Sequence, residues 1–391
     1  MAGIINLVHT YYWLDRLGME RIASIPLNFQ LPVPGPISTI SVEAVAGGLI
    51  NDTWTTTIAG HHQRYILQRI NVHVFEHVDE LMSNIDKVSR HLQSKRERKL
   101  NSDGTTIDAA AADSYLIIIP TKDDQLFYRE KDADGRSCGI WRMYNYIPNS
   151  ITYPVAPDRE KLYEAGRAYG KFQRDLSDFP SPHELYETIP DFHNTVKRMK
   201  SFRKAVLDDV CNRAQYVQEE IGVIESKAEL TNIIVDMLSD GRLPLRVTHN
   251  DTKLENVLFD ISTHHALCVV DYDTIMPNGS MLYDYGDAIR SMSNSASEDE
   301  QNLTKVEFDA VSCQRFTEGF LHEVDDIITE NERRMLPIGA MIITLEQAIR
   351  FLTDYLMGDT YFKTDYSDHN LARARNQLKL MQGMEMKIAG N

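Results

Sequence analysis

With 391 residues, 42% of them hydrophobic and 25% charged, the chain is long enough to bury one large core or two smaller ones. Its formal net charge of −16 argues against nucleic acid or an acidic membrane as a partner, and a polyanionic ligand would need a locally positive pocket. The four cysteines, Cys138, Cys211, Cys268 and Cys313, lie far apart without metal-ligand spacing, which predicts free thiols in a reducing, cytoplasmic setting.

The first 25 residues place Asp15 and Glu20 among apolar residues and lack a basic start followed by a long apolar run, so they predict a helix packed on the body rather than a signal. No apolar run reaches membrane-spanning length, the nearest being Leu116-Ile117-Ile118-Ile119. Ile40 to Val45 alternates apolar and polar residues, breaks at Gly47-Gly48 and resumes at Trp54 to Ile58, the pattern of a hairpin with Asn51-Asp52-Thr53 just past its tip. A third strand follows over Arg64 to Ile70. Val78 to Lys99 has helical periodicity through Leu81, Ile85, Val88 and Leu92, with a basic end that suits a helix C-terminus. Asn101 to Ser114 is a polar, small-residue insertion ahead of a strand from Tyr115 to Ile119. Gly139 to Pro148 begins as a strand and then loses regularity. From Asp158 the pattern turns helical, with Leu162, Ala165, Gly166, Ala168, Tyr169, Phe172 and Leu176 on one face and small residues where a neighbour can approach closely. Further helices are predicted around 194–217 and 228–239. Strands first and helices afterwards predict an α+β, bilobal architecture, with a β-rich lobe over 1–148 and a mainly helical lobe over 149–391.

The chemistry concentrates in Val247-Thr248-His249-Asn250-Asp251-Thr252-Lys253-Leu254-Glu255-Asn256 and in Val269-Val270-Asp271. An Asp, an Asn five positions later and a second Asp at a strand end are what phosphoryl transfer to a hydroxyl requires. Asp251 would orient the attacking hydroxyl and accept its proton, while Asn256 and Asp271 present hard oxygens to Mg2+. Two short strands joined at Ser262-Thr263-His264-His265 would bring Asn256 close to Asp271. On this reading the Gly47-Gly48 tip, with Asn51 and Thr53, contacts the phosphates of ATP. Gln68 stands in the third strand where kinases place a phosphate-binding lysine, and Arg69, on the other sheet face, is the alternative cation. Met143, Tyr144, Asn145 and Tyr146 form the segment expected to offer backbone groups to adenine. Asp284 would brace the catalytic loop by accepting its N–H groups, and the acidic, serine-rich stretch Ser293 to Asn302 reads as a mobile surface loop. Glu330 to Met357 reads as a helix that Pro337 breaks or kinks and Gly358 ends, with Glu346, Arg350 and Asp354 as an i,i+4 ladder on a solvated face. Leu371 to Met386 closes the chain as a basic amphipathic helix.

These residues resemble the aminoglycoside phosphotransferase and choline kinase-like superfamily in His249-Asn250-Asp251 to Asn256 and in Asp271. More closely they are similar to the N-acetylhexosamine 1-kinases, through Gly48 to Thr53, Tyr65 to Asn71, Phe192-His193-Asn194-Thr195, Val270 to Arg290 and Arg350 to Asp359 with Tyr361-Phe362. The resemblance implies a protein-kinase-like fold and Mg2+-dependent transfer of the ATP γ-phosphate to the C1 hydroxyl of N-acetylglucosamine or N-acetylgalactosamine. It implies Asp251 as the catalytic residue, Asn256 and Asp271 as metal ligands, and Arg350 with Tyr361 as sugar contacts. Two alternatives stay open: a kinase of another small alcohol, such as an aminoglycoside or amino alcohol, and a non-catalytic nucleotide-binding regulator. The expected partners are the sugar and ATP alone, for a chain that is monomeric or a weak homodimer.

Overall fold

The computed structural model describes residues 18–33, 37, 39–45, 50–102 and 116–388, with backbone only for 96–102 and 388. Gly47, Gly48, the first 17 residues and most of the Asn101–Ser114 insertion therefore lie outside the described residues. Chain contacts divide the protein into two compact units, Met1–Pro148 and Asn149–Asn391.

In the first unit, period-2 patterning builds an antiparallel sheet from β1 (Ile40–Ala44), β2 (Asp52–Ile58), β3 (Arg64–Arg69), β4 (Tyr128–Lys131) and β5 (Ser137–Asn145), in the order β1-β2-β3-β5-β4. Alternate residues of β3 and β5 set two unlike faces. Tyr65, Leu67, Trp141 and Met143 join Ile58 in a core that Ile25 and Phe29 cover; residues 18–24 leading into that cover are helical. Helix α1 (Val78–Ser102) buries Leu81, Met82, Ile85 and Val88, spaced for a single helical face. Residues 117–119 flank the end of β5, where Ile119 N–H donates to the Met143 carbonyl and Asn145 N–H to the Ile117 carbonyl. The strand expected from Tyr115 to Ile119 shortens to a single bridge between Ile118 and Tyr144.

The second unit opens with β6 (Ser150–Ile151), then α2 (Arg159–Leu176), α3 (Thr195–Asp208), α4 (Gln218–Ser226) and α5 (Leu230–Ser239). Strands β7 (Arg246–Thr248), β8 (Val257–Asp260), β9 (Ala266–Val269) and β10 (Met276–Gly279) follow, paired as β6-β8-β9 and β7-β10. Helices α6 (Met281–Met292), α7 (Ala310–Val324), α8 (Glu330–Leu356) and α9 (His369–Ile388) complete it. Side-chain caps explain the starts: Asp158, Asn194 and Ser280 each accept a first-turn N–H, and Thr329 forms a capping box with Glu332.

Pro337 does not break α8. It removes one N–H bond at a cost of about 3 kcal/mol, but the capping box fixes the start and Leu336, Ala340, Ile343 and Leu345 bury the rest. By length and composition α8 is apolar enough to cross a membrane, which the sequence reading overlooked; it is mostly buried, the condition of a core helix. The acidic Ser293–Asn302 stretch is also pinned rather than mobile. Arg290 donates to Glu298, Asn376 donates to the Ser297 carbonyl, and Asn294 pairs with Phe308.

Small residues let α2 and α7 meet backbone to backbone. A Cβ built on Gly166 would lie 2.1 Å from the Phe316 carbonyl oxygen, and one on Gly319 2.0 Å from that of Tyr163. Gly166→Ala should therefore lower stability by about 1–3 kcal/mol or more through overpacking. Gly222→Ala in α4, where nothing lies within 4 Å, should be neutral or stabilise by about 0.5–1 kcal/mol; urea denaturation of the two variants checks the contrast.

Candidate active site

The loop after β7 is held by carboxylates from α6. Asn250 adopts φ 67°, and its side-chain amide donates to the Thr274 carbonyl at 2.8 Å. Asp284, in the first turn of α6, accepts the N–H groups of His249 at 2.9 Å and Asn250 at 2.8 Å, together with the Gln173 amide at 2.6 Å. Burial nevertheless pushes the Asp284 carboxyl above its usual range. One turn on, Asp287 accepts the Thr252 N–H at 2.8 Å. Burial would raise its pKa, but Arg290 at 3.0 Å outweighs that and holds it low. The His249 ring is fastened at both nitrogens: Nε2 donates to the Val270 carbonyl at 2.9 Å, leaving Nδ1 to accept the Asp251 N–H at 3.3 Å.

This frame fixes Asp251. Its Oδ2 accepts from Asn256 Nδ2 at 3.0 Å and lies 3.1 Å from the Lys253 ammonium. Burial pulls the Lys253 pKa down, yet the charges of Asp251 and Asp271 outweigh it and leave the ammonium well above its usual range. Lys253 escaped the sequence reading, although its place two residues after Asp251 was the available signal. The β8–β9 hairpin pairs Val257 with Val269, and the Val270 N–H donates to the Asn256 carbonyl at 2.9 Å, bringing Asn256 next to the strand that ends in Asp271. Asp271 has φ 65° and an exposed side chain. Asn256 commits its Nδ2 to Asp251, so what it and Asp271 can offer a cation are hard oxygens, an amide Oδ1 and a carboxylate. That donor set suits Mg2+, which keeps waters and substrate phosphates as its other ligands. Among the described residues no cluster of three or more His, Cys, Asp or Glu forms an all-protein cage.

In the first unit, Thr53, Gln68 and Arg142 share one sheet face, each opposite the next in register. The Arg69 side chain lies on the other face and donates to the Cys138 carbonyl at 3.1 Å. Met143 departs from its expected role: its fully buried side chain belongs to the core on the opposite face, and its carbonyl is taken by Ile119. Asn145 uses its N–H and its Oδ1 on Ile117. The Tyr146 N–H donates to the Arg64 carbonyl, and the Arg64 guanidinium sits 4.1 Å over the Tyr146 ring. Tyr144 is buried under the Arg142 guanidinium at 5.3 Å, and Asn51 Oδ1 accepts the Asn71 N–H.

The expected ladder on α8 does not form. Glu346 and Asp354 are buried, and each carboxylate is engaged off the helix. Glu346 receives Nδ1 of His193 at 3.1 Å, while the buried Nε2 of that ring has no partner among the described residues. Asp354 accepts the N–H groups of Thr360, Tyr361 and Phe362 at 2.8–2.9 Å, folding the chain back past Gly358. Arg350 and Tyr361 are thereby brought together: the guanidinium lies 5.0 Å from the Phe192 ring, 5.9 Å from Tyr361 and 5.4 Å from Phe362. A second guanidinium, Arg198, donates to the Phe192 carbonyl at 2.9 Å; burial and the charge of Arg350 pull its pKa down. The cluster touches the catalytic frame, since His193 packs 4.9 Å from Tyr283, next to Asp284 on α6.

A family model described as the phosphotransferase enzyme family matches residues 41–316, well over half of the chain. The chain belongs to this family. Among solved structures it is similar to a choline kinase from Cryptosporidium parvum Iowa II, at 17% identity over 95% of this chain and 96% of that one, with a TM-score of 0.57. It is also similar to a spectinomycin phosphotransferase solved with ADP and spectinomycin, at 12% identity over 89% and 94% of the two chains and a TM-score of 0.50. At these identities the likeness shows the fold, which is α+β and kinase-like. The protein is thus a member of the phosphotransferase enzyme family with a kinase-like fold.

The family match contains Gln68, Asp251, Asn256 and Asp271 and ends before Glu346, Arg350 and Tyr361. Sequence reasoning missed Glu346 and His193 as a pair because 153 residues separate them. Asp354→Asn replaces one acceptor oxygen with a donor, so the amides of Thr360, Tyr361 and Phe362 should exchange with deuterium roughly ten- to hundredfold faster, the value of losing hydrogen bonds to a charged group. Hydrogen–deuterium exchange resolved to that segment checks it.

Proposed function

We propose that this phosphotransferase transfers the γ-phosphate of ATP, with Mg2+, to the anomeric C1 hydroxyl of an N-acetylhexosamine such as N-acetylglucosamine or N-acetylgalactosamine. The observation that carries the acceptor class is the Arg350 cluster. A choline-like or aminoglycoside acceptor brings its own positive charge and needs free aromatic faces or a free carboxylate. Here the rings of Phe192, Tyr361 and Phe362 already surround a guanidinium, a second guanidinium stands beside it, and Glu346 is engaged by His193. That surface repels a cation and suits a neutral polyol whose hydroxyl and acetamide oxygens accept hydrogen bonds. The ADP held by the spectinomycin phosphotransferase supports ATP as co-substrate.

In this reading Asp251 orients the sugar hydroxyl and accepts its proton as the new O–P bond forms and the bond to the departing ADP breaks. Lys253, beside Asp251, keeps that carboxylate in place and adds positive charge where the phosphoryl group passes. Asn256 and Asp271 would hold Mg2+, which when bound neutralises phosphate charge. Tyr361 lies against the sugar, and the nucleotide contacts fall to Thr53, Gln68 and the strand end at Tyr144 to Tyr146.

Two variants test the reading on a panel of sugars, aminoglycosides and amino alcohols with ADP release as signal. Asp251→Asn should lower kcat by about 10² or more while ATP affinity holds. Arg350→Ala removes a charged donor worth about 1.5–3 kcal/mol, so kcat/KM for the N-acetylhexosamine should fall roughly ten- to hundredfold with KM for ATP unchanged. Turnover of choline or an aminoglycoside in preference to every sugar would overturn the acceptor assignment.

A further inference from the structure

Arg198 and Arg350 bring two guanidiniums to one place without a counter-ion between them. Arg198, in the first turn of α3, donates Nε at 3.3 Å and Nη2 at 2.9 Å to the Phe192 carbonyl, and Arg350 on α8 lies 5.0 Å from the ring of that same Phe192. Among the described residues no carboxylate comes within 4.0 Å of either guanidinium. The acids nearest to hand are already engaged. Glu346, one turn before Arg350, receives His193 Nδ1 at 3.1 Å, and Asp191 receives Lys197 Nζ at 2.6 Å and the Asn194 amide at 3.2 Å. Arg350 Nη1 turns instead to the neutral Gln347 Oε1 at 3.0 Å.

Like charges that share a partly dry site repel, and burial together with the charge of Arg350 lowers the Arg198 pKa. A guanidinium cannot relieve that repulsion by giving up its proton, as a lysine does. The rings of Phe192, Tyr361 and Phe362 offset part of the cost around Arg350, but a π-face balances only a fraction of a full charge. Donors are also left over. Both arginines are only partly buried, and the nitrogens without a protein acceptor, Nη1 of Arg198 and Nε and Nη2 of Arg350, are not sealed from solvent. Two positive forks with spare N–H groups match a tetrahedral dianion, which accepts from both at once, whereas a single carboxylate carries only half the charge. In a chain of net charge −16, a local excess of positive charge is also what draws an anion to one spot.

We propose that Arg198 and Arg350 together form a binding site for a phosphate dianion, supplied either as free inorganic phosphate or as a phosphate monoester. The site stands on these two side chains alone. One consequence rests on the acceptor reading above: if Arg350 also meets the acceptor, phosphate bound here competes with it.

Calorimetric titration of the full-length protein with inorganic phosphate, at fixed ionic strength and with excess MgADP filling any nucleotide site, tests the proposal. Arg198→Met and Arg350→Met should each weaken phosphate roughly ten- to hundredfold, and Arg350→Lys should lose less than Arg350→Met because it keeps the charge and gives up only the fork. Glycerol 3-phosphate titrated in parallel separates the two sources. Tighter binding of the ester, lost in the same variants, assigns the site to a monoester, and tighter binding of inorganic phosphate assigns it to the free anion. No phosphate binding by the wild-type protein, or equal binding by wild type and Arg350→Met, would overturn the site; the second result decides the matter even if Arg198→Met, which also releases the Phe192 carbonyl, does not fold. In steady-state kinetics phosphate should raise the KM of the acceptor and leave that of ATP unchanged. Arginine-dependent phosphate binding without this competition would overturn the place of Arg350 in the acceptor site and leave the anion site standing.

Discussion

A single buried carboxylate organises the candidate active site of this protein. Asp284 is fully enclosed, and it survives there because the backbone N–H groups of His249 and Asn250 and the side-chain amide of Gln173 surround it. Each partner gains equally, since those two N–H groups belong to a loop whose left-handed turn at Asn250 denies them an ordinary strand partner. Asp287 extends the arrangement by one helical turn to Thr252. Asp251 sits between two residues whose backbone is thus fixed by α6, which removes conformational freedom from the carboxylate proposed to meet a hydroxyl in one orientation.

Where candidate site residues lie close along the chain, their coming together was easy to read. Asp251 and Asn256 are neighbours along the chain, and the β8–β9 turn is short enough that Asp271 had to return beside them, whereas Lys253, although it stands between them, was passed over. The sheet of the first unit was legible for a similar reason, since period 2 along β2, β3 and β5 decides which side chains meet. The Gln68 position stood out as a departure, but its neighbour across the sheet did not. Arg142 is embedded in a run of aromatic and apolar residues that reads as an ordinary buried strand, and only pairing with β3 brings it to Gln68.

The misreadings share a cause. Four-residue spacing of Glu346, Arg350 and Asp354 establishes that they line one helix face, but says nothing of what packs against it. His193, Phe192 and the returning segment 360–362 all reach that face from distant or folded-back stretches. Pro337 does not break α8, because anchoring at both ends overrides that local rule. The acidic stretch 293–302 looked solvated because its counter-ion, Arg290, belongs to a different element.

That α8 is both a largely buried helix of the second unit and the carrier of Glu346, Arg350 and Asp354 constrains how this protein can diversify. Glu346 and Asp354 are 1% and 5% exposed, so altering either leaves a buried histidine or several backbone amides without partners and disturbs folding before it alters recognition. Tyr361 is 61% exposed and belongs to no helix or strand, so its side chain can be exchanged at little cost to the core. If the cluster meets the acceptor as proposed, drift in acceptor preference is channelled to its rim, while its charged floor stays tied to the integrity of the fold.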